Sequence, residues 1–79
     1  MSSDRVWDGP ALRNQLLVER QRQHVFAGRI PAFDPYLGAL VSGRAVQFTA
    51  ADGTRWVLDE ANSVREWAPG DAGLPGADR

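Results

Sequence analysis

The chain holds a single histidine, His24, and no cysteine, so the chemistries its side chains can support are few. A metal site built on His24 would need Asp or Glu for every other ligand, whereas zinc sites normally use several His or Cys. No metal or cofactor is expected, and His24 reads as a solvated helix residue. Ser42 or Ser63 could be joined to His24 and a carboxylate as a triad, but no nucleophile motif surrounds either serine. Asp59 and Glu60 are neighbours and point to opposite sides of an extended chain, which is the wrong arrangement for paired acid and base work. Turn chemistry is the expected role of that pair.

Gly38 to Arg44, GALVSGR, has the two glycines of the phosphate-loop pattern GxxxxGK[ST] and departs from it afterwards. Arg44 stands where the pattern needs the lysine that reaches the phosphates, Ala45 where it needs a metal-binding hydroxyl, and no strand precedes the first glycine. Gly43 reads instead as a helix stop before a strand. With so few candidates and so little chain to wall a pocket, an enzyme is not expected.

Arginine offers more. On a helical wheel Arg13, Arg20 and His24 fall within about 40° of one another, with Leu17 beside them, as a basic stripe next to an apolar sector that holds Leu12, Leu16, Phe26 and Ala27. Such a stripe, extended by Arg22 and Arg29, could contact phosphates and defines an alternative reading as a small nucleic-acid-binding regulator. Against it, Glu19 lies close by, Arg22 points elsewhere, and no glycine-containing turn joins two helices as a helix-turn-helix requires.

The aromatic residues point to a protein partner. Trp7, Trp56 and Trp67 are many for so short a chain. The sheet register derived below puts only Trp56 on the core face and leaves Trp67 with Val57 on the other. Either Trp7 folds back over Val57 and Trp67, or these two form an exposed patch rimmed by Arg55 and Arg65, with the composition of a protein interface. Val57, Trp67, Arg55 and Arg65 are therefore the expected partner-binding residues.

These side chains are positioned by a β-hairpin, Arg44 to Asp59, the one segment whose pairing can be read residue by residue. Strand-forming residues run up to Asp52-Gly53 and down again, a strong hairpin signal. A two-residue turn would set Phe48 opposite Val57 and Val46 opposite Asp59, mixing both faces. A three-residue loop, Ala51-Asp52-Gly53, sets Phe48 opposite Trp56, Val46 opposite Leu58 and Ala50 opposite Thr54. One face is then almost wholly apolar, so this register is preferred, with Gly53 in the left-handed conformation. A turn at Glu60-Ala61-Asn62 leads to a third strand, Ser63 to Trp67, with Val64 opposite Leu58.

Ahead of the hairpin, Asp8 or Gly9 can cap a helix with Pro10 in its first turn, running from Ala11 to about Ala27 and stopped by Gly28. The polar run Glu19 to His24 leaves open whether residues 24–30 are helix or strand. Asp34, Pro35 and Gly43 mark a second helix, Pro35 to Ser42, with Leu37, Leu40 and Val41 inward. The expected core joins Phe48, Trp56 and Leu58 to Leu12, Leu16 and Leu40. Residues 1–10 read as a flexible N-terminal segment, 11–68 as the folded domain, and 69–79, rich in Pro and Gly, as a disordered tail.

The fold class is thus α+β: two N-terminal helices followed by a three-stranded antiparallel meander, in one small domain. A chain of 79 residues gives marginal burial, and without cysteines no disulfide supplements it. Docking on a protein partner or homodimerisation is the remaining source of stability. Nine arginines and no lysine against ten acidic residues leave the net charge at −1, which argues against a general nucleic-acid or membrane-surface binder. The Arg, Ala and Gly usage suits a GC-rich bacterial or phage genome. No stretch approaches the ~20 apolar residues that span a bilayer, so the expectation is a cytoplasmic, non-catalytic protein-binding module acting as a small regulator, adaptor or accessory subunit.

Overall fold

The computed structural model describes residues 7–76. It is an α+β domain. Helix α1 (Gly9–Ala27) and helix α2 (Pro35–Ser42) precede a meander of β1 (Val46–Thr49), β2 (Arg55–Leu58) and β3 (Val64–Glu66) in the order β1-β2-β3. Two 3-10 turns, Pro31–Phe33 and Pro69–Asp71, complete the secondary structure.

The helix ends follow local chemistry. The Asp8 carboxylate accepts from the Ala11 amide at 3.3 Å, and Pro10 occupies the first turn, where its missing N–H leaves nothing unpaired. At the other end Gly28 is left-handed (φ 67°), its amide donates to Val25 O, and the Arg29 amide donates to His24 O. The same closure ends α2 at Gly43 (φ 77°), with the Arg44 amide on Ala39 O. Residues 24–27 are helical and 28–30 are turn and irregular, so the stretch left open between helix and strand is helix only as far as Ala27. In α2, Tyr36, Leu37, Ala39 and Leu40 are buried, whereas Val41, expected inward, is 67% exposed because Tyr36, one turn before Leu40, takes the inward place.

The sheet has the register of the three-residue loop. Val46 pairs with Leu58 and Phe48 with Trp56; Gly53 has φ 89°, and the Ala50 amide donates to Thr54 O at 2.8 Å. Leu58 also pairs with Val64. The core joins Leu12, Tyr36, Ala39, Leu40, Val46, Phe48 and Leu58, with Leu16 and Trp56 packed against it, and so includes each residue expected there.

Two boundaries differ from the sequence reading. Residues 7–10, placed in a flexible segment, belong to the domain: Trp7 packs on the core face, edge-on to Phe48 at 5.6 Å and against Trp56 at 5.8 Å. It does not cover Val57. Residues 69–76, placed in a disordered tail, cross the opposite face of the sheet. Their anchors are polar rather than apolar. The Gln47 amide donates to Pro75 O at 2.9 Å, Gln47 forms a parallel bridge with Gly76, and its side-chain amide reaches Leu74 O at 2.7 Å. On the far side of the sheet Arg65 pairs with Asp71. Gln47, Val57 and Arg65 form one cross-strand row, so a segment held at both ends of that row passes over Val57 and buries it completely. The remaining residues of the two expected segments, 1–6 and 77–79, lie outside the described residues.

Candidate functional site

Of the four residues expected to meet a partner, Val57 is buried and Trp67 half-buried, while Arg55 and Arg65 are exposed and engaged in contacts within the domain. Val57 lies under the C-terminal segment. Both terminal nitrogens of Arg65 donate to Asp71, and this hydrogen-bonded pairing, together with the Ala68 amide, holds the Asp71 carboxyl down to about 2 and raises the already high pKa of Arg65. Trp67 is half-buried, with the Arg55 guanidinium 4.9 Å above its ring. These contacts bury Val57 and engage both arginines, while Arg55 and Trp67 still line an open hollow of about 360 Å³.

The arginine stripe is likewise turned inward. Arg13 donates from Nε to Asn62 Oδ1 at 2.7 Å, from Nη1 to Arg44 O at 2.9 Å and from Nη2 to Asp59 O at 2.9 Å, tying α1 to two turns. Arg20 Nε donates to Asp34 Oδ2 at 2.5 Å, and the Arg20 guanidinium sits 5.5 Å from the Tyr36 ring. His24, expected in solvent, is buried, with Nε2 2.6 Å from Asp34 Oδ2. Only Arg22 and Arg29 of the five keep exposed side chains.

Asp34 is the hub of this corner. Its Oδ1 caps α2 by accepting from the Tyr36 and Leu37 amides, while Oδ2 takes Arg20 and His24. Burial alone would raise its pKa, but the bonds from Arg20, His24 and the Leu37 amide outweigh it and hold the carboxyl down to about 2. Burial pushes Tyr36 up to about 12. An Asp–His pair is two of the three members of a catalytic triad, yet the hollow beside it is lined without any Ser, Thr or Cys. No third His, Cys, Asp or Glu joins it into a metal-sized group among the described residues. The geometry fits a polar brace between α1 and α2.

What the sequence reading missed is an apolar surface at the end of α1. Val25, Phe26, Ile30 and Phe33 are 78%, 83%, 63% and 82% exposed. Ile30 and Phe33 line an open hollow of about 490 Å³ with Arg29, Pro35 and, deeper, the His24–Asp34 pair. A signal was available. Val18 and Val25 are seven residues apart, on the side of α1 away from Leu12, Leu16 and Leu17, and Phe33 sits in a short link between Pro31 and Pro35 that cannot present a continuous helical face.

No family model matches the chain, and neither the curated proteins nor the solved structures provide a match.

Proposed function

We propose that this domain is a non-catalytic protein-binding module that docks through the end of α1 and the link to α2, with Val25, Phe26, Ile30 and Phe33 as its contact residues. The observation carrying this reading is that two phenylalanines more than four-fifths exposed stand within eight residues of each other, on a domain whose core is complete without them. Exposed apolar side chains are common singly, whereas apolar residues gathered along a hollow, as Ile30 and Phe33 are, characterise protein contact surfaces. The structure supports the Val57–Trp67 face less, because Val57 is fully buried and Trp67 lies under the Arg55 guanidinium. It gives less support to a nucleic-acid footprint, because Arg13 and Arg20 already have partners inside the domain.

The test compares the wild-type domain with a Phe26→Ser, Phe33→Ser double variant as bait in the cell the protein comes from. The variant is expected to melt within a few degrees of wild type and to lose the specifically captured protein. Equal capture by both baits rejects this surface.

A further inference from the structure

The charge around the docking end constrains what can occupy it. Between Glu19 and Asp34 the chain has no Asp or Glu, yet it carries Arg20, Arg22 and Arg29. Arg20 is committed to Asp34, which leaves two exposed guanidinium groups. Arg22 lies one helical turn before Phe26 and on the same side of α1. Arg29 lines the hollow together with Ile30 and Phe33. Each exposed arginine therefore adjoins an exposed aromatic residue. A whole Phe side chain carries about 150–250 Å², so the four apolar residues present on the order of 500 Å² of apolar surface.

Resting on the docking reading above, we propose that the occupant is an acidic amphipathic segment of another protein, with one large apolar side chain seated in the hollow between Ile30 and Phe33 and a carboxylate on Arg29. Two copies meeting through this hollow would bring their Arg29 side chains together, with no acidic residue in either 20–33 stretch to pair with them, so a second copy is disfavoured. An anionic lipid surface would satisfy the arginines but has no side chain to fill a concave site. Carboxylates answer the charge, and guanidinium groups bind them in a two-toothed geometry.

The experiment uses the full chain and three sets of fluorescent helical peptides that share Leu, Phe or Trp anchors and differ in their flanking residues: Glu and Asp, Gln, or Lys. Anisotropy titrations at low and moderate salt are run beside vesicles of phosphatidylcholine with phosphatidylserine. The expected result is at least tenfold tighter binding of the acidic set than of the lysine set, weakening as salt rises. Phe33→Ser should reduce it at least tenfold, Arg29→Glu should reverse the preference towards lysine flanks, and Val41→Ser, an exposed residue outside the hollow, should change nothing. Equal binding of all three sets that still depends on Phe33 overturns the acidic chemistry and leaves the docking surface standing. Binding to vesicles alone, binding to no peptide, or a concentration-dependent dimer lost in Phe33→Ser overturns the proposed occupant. Only binding that ignores Phe26 and Phe33 altogether rejects the surface as well.

Discussion

Arg65 and Asp71 meet in a two-toothed pair, Nη2 on Oδ1 at 2.8 Å and Nη1 on Oδ2 at 2.9 Å, and through it the C-terminal segment is fastened across the face of the sheet that carries Val57. An exposed ion pair by itself contributes little. Here it also fixes the path of a backbone that covers a fully buried side chain, and Asp71 Oδ2 accepts from the Ala68 amide at 2.9 Å to shape the turn.

Removing residues 69–79 should therefore destabilise the domain by about 1.5–3 kcal/mol, the cost of returning a fully buried Val57 to water. Asp71→Ala should produce a smaller loss in the same direction. Urea unfolding followed by tryptophan fluorescence measures both. A truncated chain with an unchanged midpoint would show that the segment is a passive cover.

Gly9 is buried where α1 crosses the turn between β2 and β3, and a Cβ placed on it would lie 1.6 Å from the Asn62 carbonyl oxygen. The obstacle is backbone, held in a turn where Asn62 itself is left-handed (φ 61°), so neither side gives way easily. Gly9→Ala should cost about 1–3 kcal/mol, as overpacking does elsewhere. The check is a thermal melt beside Gly53→Ala, whose added Cβ meets nothing within 4 Å but whose φ of 89° should still cost about 1 kcal/mol.

The parts legible in the sequence were those in which short-range pattern and burial agree. Phe48, Val46, Trp56 and Leu58 sort onto one face in a single register, and Asp34-Pro35 with Gly43 brackets α2 without outside information. Two kinds of information were hidden. The C-terminal segment is ordered by Gln47 and Arg65, polar residues more than twenty and only a few positions away, and neither leaves a periodic apolar signal. The wheel of α1 shows Arg13, Arg20 and His24 grouped together, but it cannot show that Asp34, Asp59 and Asn62 wait on the other side of the contact. A basic stripe facing solvent and one facing acceptors inside the domain look the same in sequence. The wheel also sets Phe26 in one sector with Leu12 and Leu16, yet Phe26 is 83% exposed, because the core reaches Leu12 and Leu16 but not the last turn of α1.

Asp34 should give the domain a measurable acid limb. Its carboxyl is depressed to about 2 from the usual 3.8, so the stabilisation it contributes is present above pH 3.8 and is lost as the pH falls through about 2. A depression of this size corresponds to about 2 kcal/mol. Unfolding free energies measured between pH 5 and 2 should fall accordingly. Asp34→Asn retains an oxygen to cap the Tyr36 and Leu37 amides while removing the charge, and its pH dependence should be flatter across that interval. An identical slope in wild type and variant would place the acid sensitivity elsewhere.

The inward and outward arginines should separate cleanly in one set of measurements. Arg13 makes three hydrogen bonds that join α1 to the turns at Arg44 and Asp59–Asn62; its removal takes the donor from Asn62 Oδ1 and Arg44 O, while Asp59 O keeps the Asn62 amide. Arg13→Ala should cost about 2 kcal/mol or more of stability. Arg22→Ala and Arg29→Ala remove exposed groups and should stay within about 0.5 kcal/mol of wild type. If Arg22 and Arg29 serve a protein partner, neither the wild type nor these variants should bind random duplex DNA or single-stranded RNA at low salt with an affinity that falls steeply as salt rises. Nucleic acid makes such a slope unavoidable, because each neutralised phosphate releases a condensed counterion. A steep slope in the wild type that becomes shallower by about one unit in each of Arg22→Ala and Arg29→Ala would transfer this end of α1 from a protein partner to a phosphate backbone.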